Sequence, residues 1–228
     1  MMTRTIRTGI AVAALLIAPI AAQAADLRQP SYKAPAYSAP AFSWSGFYVG
    51  LNAGYGWGTA SGANSITGEG FNTRATGWLG GATVGYNMQT GSWVWGLEGD
   101  IDYSTVKGTS TSNCDAPGCE VRNSWLGTAR GRIGYAFDRY LVYGTGGAAY
   151  GDLKLTLPGG GSRSVTDNKL GWTLGAGVEY AFMGAWSVKA EYLYVDLGNF
   201  TCPAATCSDA GTYKLPLNIA RLGVNYRF

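Results

Sequence analysis

Apolar and polar residues alternate with a period of two along most of the chain. In the first such stretch, Phe47, Val49 and Leu51 alternate with the small or polar residues Gly50 and Asn52. Successive side chains of a β-strand point to opposite faces of the sheet, so this alternation predicts a strand with one apolar and one polar face. Eight segments of this kind follow one another, near residues 47–57, 76–88, 93–104, 123–135, 140–156, 170–182, 186–197 and 214–228.

The connections between these segments alternate in length. Three of them are short, at residues 89–92, 136–139 and 183–185. Four are long and polar, at residues 58–75, 105–122, 157–169 and 198–213. Short turns at one end and long loops at the other are typical of barrels that cross a membrane. We therefore predict an all-β fold, an eight-stranded antiparallel up-and-down transmembrane β-barrel with four long extracellular loops.

Aromatic residues gather beside the three short connections, as expected for a girdle at a membrane interface. The alternative is that they form the core of a soluble β-protein. Charged residues make up only 14% of the chain, so the opposite faces of the strands could hardly coat a soluble exterior. The predicted girdle consists of Tyr86, Trp93, Tyr135, Phe137, Tyr140, Phe182, Trp186 and Phe228.

The amino-terminal region contains two segments that precede the alternating pattern. Residues 1–24 combine Arg4 and Arg7, an apolar stretch over residues 10–22 and an Ala-Gln-Ala cleavage signal, which predicts a secretory signal peptide. A transmembrane helix is the alternative, but the apolar stretch is too short to span a bilayer. Residues 25–45 are rich in Pro and Ala and are predicted to be an extended periplasmic linker, with the barrel over residues 46–228.

The composition excludes several classes of function. The chain has no histidine, which excludes Ser-His-Asp and Cys-His catalysis and any imidazole metal site. Its formal net charge is only +3, without the basic stripe of a nucleic-acid-binding protein. Glu98 and Asp100 face arginines and would both stay ionised, which does not suit acid–base catalysis. We predict no nucleic-acid partner, no catalytic residue, no cofactor and no metal, and do not expect an enzyme.

The polar face of the strands collects acidic and basic residues that lie one strand apart. Opposite charges on neighbouring strands attract, and eight strands leave a bore that side chains can fill. In the fifth segment Val142 and Tyr150 share a face with the charged residues, so its alternation is the least regular. We predict a paired charge ladder that plugs the lumen, and a narrow gated water path is the alternative. The predicted ladder consists of Glu98, Asp100, Asp102, Arg130, Arg132, Asp152, Lys154, Glu179, Lys189, Glu191, Arg221 and Arg227.

The four cysteines lie in two of the predicted long loops. Cys114 and Cys119 belong to the second loop, and Cys202 and Cys207 belong to the fourth. Export to an oxidising compartment favours two local disulfides, one in each loop. Pairing between the two loops is a second option. A zinc site of all four cysteines does not match the usual ligand spacing.

Several motifs resemble those of known membrane barrels. The alternating carboxyl terminus Leu222, Val224, Tyr226 and Phe228 looks like the signal that the barrel assembly machinery reads. The stretches at residues 44–56, 144–151 and 186–192 resemble the alphaproteobacterial surface-antigen barrels of the OmpA/OmpX-like superfamily. The likeness covers essentially the whole chain after the predicted signal peptide. It implies an outer-membrane protein in contact with membrane lipid, lipopolysaccharide and the assembly machinery.

The same resemblance implies an attachment to the cell wall. Related barrels begin with Ala-Asp after cleavage, and that amine is joined to peptidoglycan. Ala25 and Asp26 occupy the corresponding positions here. An even number of strands would place both termini in the periplasm, where the linker could reach the wall.

The favoured function is structural, in support of envelope integrity. Three other functions stay open at this point. A small pore would need an open lumen. An adhesin or ligand receptor would act through the loops. A lipid-modifying enzyme would need an unusual base in the absence of histidine.

Overall fold

The computed structural model describes residues 42–64, 70–110, 119–157, 163–202 and 211–228. Several predictions fall outside these residues and stay predictions. They concern the signal peptide, the linker up to residue 41 with Ala25 and Asp26, and the cysteines Cys114 and Cys207.

The described chain consists almost entirely of β-strands. No helix in this part of the chain is long and apolar enough to cross a membrane. The strands are β1 (Gly46–Asn64), β2 (Gly70–Thr90), β3 (Trp93–Ser104), β4 (Lys107–Ser110), β5 (Cys119–Arg122), β6 (Trp125–Phe137), β7 (Tyr140–Leu157), β8 (Arg163–Met183), β9 (Trp186–Cys202) and β10 (Gly211–Arg227).

These ten segments close into a ring of eight antiparallel strands. Each strand pairs with its neighbour in sequence, and β1 also pairs with β10, with Tyr48 opposite Arg227. Segments β3 and β4 both pair with β2 and act as one strand interrupted at residues 105–106. Segments β6 and β5 both pair with β7 and are interrupted at residues 123–124. The prediction of an eight-stranded antiparallel barrel is confirmed.

The two ends of the barrel differ in their connections. At one end, called the turn end, two-residue turns begin at Gly91, Asp138 and Gly184, whose φ angles are 60°, 53° and 50°. A positive φ at this position suits the tight turns that join twisted antiparallel strands. The opposite end is called the loop end. There the strands run further than predicted, since β1 extends to Asn64 and β2 begins at Gly70.

The extra strand length corrects the predicted loop boundaries. Residues 58–75 were assigned to a loop because small and polar residues hide the alternation there. Ala60 and Ala75 point inward and are buried, so the period of two continues with small side chains on the inner face.

Near the middle of the barrel the inner face is charged and the outer face is apolar. Leu51, Leu97 and Trp78 are about 70% exposed on the outer face, at 71%, 73% and 69%. Arg130 and Lys189 point inward and are 2% and 1% exposed. This arrangement is the reverse of a water-soluble protein and suits a wall that faces lipid.

Two aromatic girdles surround the outer face. The turn-end girdle includes all predicted members, so the alternative of a soluble core was wrong. A second girdle at the loop end was not predicted. Trp78 and Tyr86 on β2 are eight residues apart and Trp93 and Tyr103 on β3 are ten apart, which separates the girdles by about 26–33 Å along the strand, or about 20–25 Å in height after strand tilt. The loop-end girdle consists of Tyr55, Trp57, Trp78, Tyr103, Trp125, Tyr150, Trp172, Tyr192 and Tyr194.

Candidate functional site in the barrel interior

The interior of the barrel has three layers along its axis. Strand β6 passes through all of them, with Ala136 in an apolar layer, Arg132 and Arg130 in a charged layer, and Leu126 in a second apolar layer. The turn-end plug is apolar and consists of Phe42, Trp44, Val94, Ala136, Leu141, Tyr143 and Ala181. The loop-end plug is also apolar and consists of Ala60, Ala75, Leu79, Val106, Leu126, Ala149, Leu153, Leu193, Val195, Leu197, Leu215, Leu217 and Ile219.

Arg130 lies at the centre of the charged layer and contacts three carboxylates. Its Nη2 donates to Asp100 at 2.8 Å and also to Glu98, and its Nη1 donates to Glu191 at 3.1 Å. Its Nε donates to the hydroxyl of Thr128 at 2.9 Å. The guanidinium therefore has a partner on each of its three nitrogens, as a buried arginine requires.

Arg221 forms a second centre on β10. It contacts Asp100 at 3.0 Å, Asp102 at 3.1 Å and Glu191 at 2.6 Å. Asp100 and Glu191 thus lie between two arginines, Arg130 and Arg221, and each links the two centres.

Arg132 and Lys189 complete the charged layer towards the turn end. Arg132 contacts Glu179 at 2.8 Å, and its guanidinium lies over the ring of Tyr143 at 3.9 Å. Lys189 contacts Glu98 at 2.9 Å, its only acidic partner among the described residues. The hydroxyl of Tyr48 also donates to Glu98, at 2.7 Å.

The charged layer therefore contains five carboxylates and four bases, and every carboxylate has a basic partner within 4.0 Å. Removing one partner of a buried ion pair typically costs about 3–5 kcal/mol, because it leaves an uncompensated charge. The interlocked pairs hold one another in place and leave each side chain little freedom to move. Asp102 is the least satisfied member, since its Oδ1 has no hydrogen-bond partner among the described residues.

Two predicted members of the lumen ladder lie elsewhere. Lys154 follows Tyr150 by four residues on β7 and therefore lies on the same outer face. Leu153, next to Lys154, points inward into the loop-end plug. Asp152 shares that outer face, and its Oδ1 accepts hydrogen bonds from the backbone N–H groups of Ser124 and Trp125, at the interruption between β5 and β6. The alternation already placed both residues with Tyr150. The prediction was wrong because it assumed that every strand charge faces the lumen. Lys154 instead lies beyond the membrane band, where an outward charge is tolerated, and the buried Asp152 accepts hydrogen bonds at the strand interruption.

Arg227 points inward but is also outside the charged layer. It makes no ion pair within the part of the chain that the structure describes, and its guanidinium lies 4.3 Å from the ring centre of Phe42. Its predicted role in charge pairing was therefore wrong, and it covers the turn-end plug by a cation–π contact.

The turn-end plug depends on residues that the sequence prediction assigned to the linker. Trp44 is buried, its backbone N–H donates to Oε1 of Gln89 at 2.7 Å, and its indole N–H donates to the carbonyl oxygen of Asp138 at 3.1 Å. Phe42 packs edge-on against Trp44. The signal was present in the sequence, because Phe42 and Trp44 continue the inward parity of Tyr48.

Glycine makes room for the large inward side chains. A Cβ atom on Gly85 would lie 2.3 Å from the ring of Tyr48, and one on Gly177 would lie 2.6 Å from the ring of Tyr143. These distances are far below contact distance, so a glycine directly opposite each tyrosine lets the ring lie over the neighbouring strand. This requirement explains part of the high glycine content, 35 of 228 residues.

The remaining predicted site residues divide into two groups. The predicted assembly signal is exposed on the outer face. Its members are Leu222, Val224 and Tyr226 on β10 and Phe228 directly after the strand. Cys119 and Cys202 belong to strands at the loop end, and the disulfides stay a prediction. Within the described residues, no group of acidic or cysteine side chains is arranged to hold a metal ion.

Comparison with known proteins connects this architecture to a family. Residues 10–228 match the family model described as outer membrane protein beta-barrel domain. The chain is 37% identical over 209 residues to the 31 kDa outer-membrane immunogenic protein of Brucella melitensis, covering 81% of this chain and 84% of that protein. It is 34% identical over 228 residues to the 25 kDa outer-membrane immunogenic protein of Brucella abortus, covering 99% and 100%. Among solved structures it is similar to the outer membrane protein OprG of Pseudomonas aeruginosa, with 12% identity, a TM-score of 0.49 and coverage of 81% and 97%.

Proposed function

The chain belongs to the outer membrane protein beta-barrel domain family, and we propose that this outer-membrane protein is a closed barrel with a structural role. In this proposal it supports the integrity of the envelope and conducts neither ions nor solutes. The observation that carries the proposal is the three-layered interior, in which an apolar plug lies on each side of the charged layer.

The interior argues against the alternative of a small pore. A water path would have to pass Leu193, Leu217 and Ile219, each at most 2% exposed, before it reached the charged layer. It would then have to separate ion pairs of 2.6–3.1 Å around Arg221. Finally it would meet Trp44, which is fixed by two hydrogen bonds. An ion that followed this path would lose its hydration without gaining a replacement, which costs several kcal/mol at least.

Single-channel recording tests the proposal. The refolded protein without residues 1–24 is inserted into planar bilayers, next to a variant with the substitutions Arg130→Ala and Arg132→Ala. We expect no current steps from the wild-type protein. The variant should also be silent, because both apolar plugs are intact. Gramicidin A added afterwards shows that the bilayer detects a single narrow pore. Steady, reproducible conductance of the wild-type protein contradicts a structural barrel and supports a pore.

The amino-terminal segment extends the structural role to the cell wall. We propose that both termini are periplasmic and that the amine of Ala25 is joined to peptidoglycan. A fully extended chain of about 3.1 Å per residue would reach on the order of 50 Å over residues 25–41, below the turn-end plug, enough for a layer below the membrane. Mass spectrometry of protein released from purified sacculi tests this link. A peptide that carries a muropeptide on Ala25 supports it, and a free amine in all recovered protein rules it out.

A second role as a surface antigen is favoured by the similarity to the two Brucella proteins named immunogenic. In this proposal the loop-end connections are exposed to the outside of the cell. Antibodies raised against the refolded barrel should bind intact cells, and shortening the connections at residues 111–118 and 203–210 should remove most of that binding. Binding only after the cells are permeabilised contradicts this role and the proposed orientation.

A further inference from the structure

A row of basic residues crosses the outer face at the loop end. Lys107 lies directly opposite Arg122, and Arg122 lies directly opposite Lys154. Lys107 also pairs with Thr76, two residues from Arg74 on the neighbouring strand. The basic row therefore spans β2, β4, β5 and β7 with one cation on each strand.

The arrangement of the basic row is unfavourable unless an anion is present. Directly opposed residues have Cβ atoms about 4.5–5.5 Å apart, and like charges at this distance destabilise a sheet. None of the four side chains forms an ion pair with another residue that the structure describes. The nearest outward carboxylates are Glu120, two residues from Arg122, and Asp152, which is engaged by backbone N–H groups. The row thus carries an excess of positive charge.

The position of the basic row relative to the membrane is defined by the loop-end girdle. Lys107 follows Tyr103 by four residues, and Lys154 follows Tyr150 by four. This separation is about 13 Å along the strand and about 10 Å in height at the usual strand tilt. Tyr and Trp girdles lie at the level of the lipid headgroups, so the bases lie at the polar edge of that layer.

A pocket adjoins the row at Arg74. It has a volume of about 480 Å³ on the outer face, and its lining includes Trp57, Tyr194 and Asn218 as well as Arg74. Aromatic rings beneath a guanidinium can pack against a sugar ring or an acyl chain while the cation binds a phosphate. The pocket and the row together fit a ligand that is both apolar and multiply anionic.

We propose that the basic row with its adjoining pocket is a binding site for the phosphate groups of an outer-leaflet glycolipid. The phosphates bridge the opposed cations and so remove their mutual repulsion, while the aromatic pocket holds the sugar and the base of the acyl chains. The inference rests on the proposed orientation, with the loop end in the outer leaflet. It does not depend on whether the lumen is closed.

Native mass spectrometry of the full refolded protein in detergent tests the site. The probes are diphosphoryl lipid A, the same lipid after enzymatic removal of its phosphates, and inorganic phosphate. The test variant carries Lys107→Gln and Lys154→Gln. The matched control carries Lys169→Gln and Lys214→Gln, which removes the same charge from the same end of the barrel. Heat-modifiable gel mobility shows that each variant is folded.

The wild-type protein should retain one diphosphoryl lipid A, and the test variant should lose about 25-fold in affinity, about fivefold for each headgroup contact removed. The control variant and the wild-type protein should bind alike, and the dephosphorylated lipid should bind more weakly than the diphosphoryl form. Equal retention by the test and control variants overturns the proposal, as does equal binding of the two lipid forms. If inorganic phosphate displaces the lipid at a similar concentration, the site binds free phosphate, and the proposal of a glycolipid ligand is wrong.

Discussion

Replacing Glu98 tests whether the charged layer stabilises the barrel. Glu98 is the only acidic partner of Lys189 among the described residues, whereas Arg130 keeps Asp100 and Glu191 as alternatives. The substitution Glu98→Gln therefore removes the one carboxylate within 4.0 Å of the Lys189 ammonium among the described residues, at a site where Lys189 is 1% exposed. At an effective dielectric constant of about 20, two charges 2.9 Å apart interact by about 6 kcal/mol, part of which offsets desolvation.

We expect Glu98→Gln to lower the free energy of unfolding by about 3–5 kcal/mol, the range typical of a buried pair that loses one partner. The double variant with Lys189→Met removes the stranded charge and should recover about 2 kcal/mol or more of that loss. Reversible urea unfolding in lipid vesicles, followed by tryptophan fluorescence and gel mobility, measures the wild-type protein, the single variants Glu98→Gln and Lys189→Met, and the double variant.

The control is the partly exposed pair of Asp167 and Lys169, whose atoms are 2.8 Å apart. Asp167→Asn should cost less than about 1 kcal/mol, because water screens this pair. Two results would refute the reasoning. One is a Glu98→Gln protein as stable as the control variant. The other is a double variant whose loss equals the sum of the two single losses, since that outcome means no energetic coupling.

Three further predictions follow from the packing and the cysteines. Gly85→Val should lower the free energy of unfolding by about 1–3 kcal/mol because its Cβ meets Tyr48, whereas Gly144→Ala, with its nearest atom at 4.0 Å, should be nearly neutral in the same urea assay. Trp44→Ala should cost about 3–5 kcal/mol by emptying the turn-end plug, and a loss below about 1 kcal/mol in urea unfolding would show that the plug is not part of the folded unit. Peptide mapping without reduction should recover two local disulfides, one between Cys114 and Cys119 and one between Cys202 and Cys207. Disulfide-linked peptides that join the two loops would contradict this pairing.

The sequence predicts the wall of the barrel better than its contents. The period of two identifies the strands, and the tight turns at Gly91, Asp138 and Gly184 follow from the short connections. The inward position of Glu98 and Arg130 also follows, because apolar neighbours define the lipid face. These features depend on residues close in sequence, so local patterns are sufficient to predict them.

The sequence does not predict the features that depend on a residue's height along the barrel axis. Parity states which residues share a face, but not whether that face borders lipid, headgroups or water at a given level. Lys154 and Asp152 were assigned to the lumen for this reason, although they share the outer face with Tyr150. The apolar plugs were missed for a related reason. Leu193 and Leu217 have the parity of the charged residues, so parity alone does not separate the apolar plugs from the charged layer between them.

The contact between Lys189 and Glu98 has a mechanical consequence. Strand β9 and strand β3 are separated by three strands in either direction around the ring, so this ion pair joins opposite sides of the wall. A sheet alone is easily flattened into an ellipse, because its hydrogen bonds resist stretching far more than bending. Braces across the full diameter oppose that deformation. The barrel should therefore keep a round cross-section when lateral pressure in the membrane changes, and behave as a stiff body in the surrounding lipid.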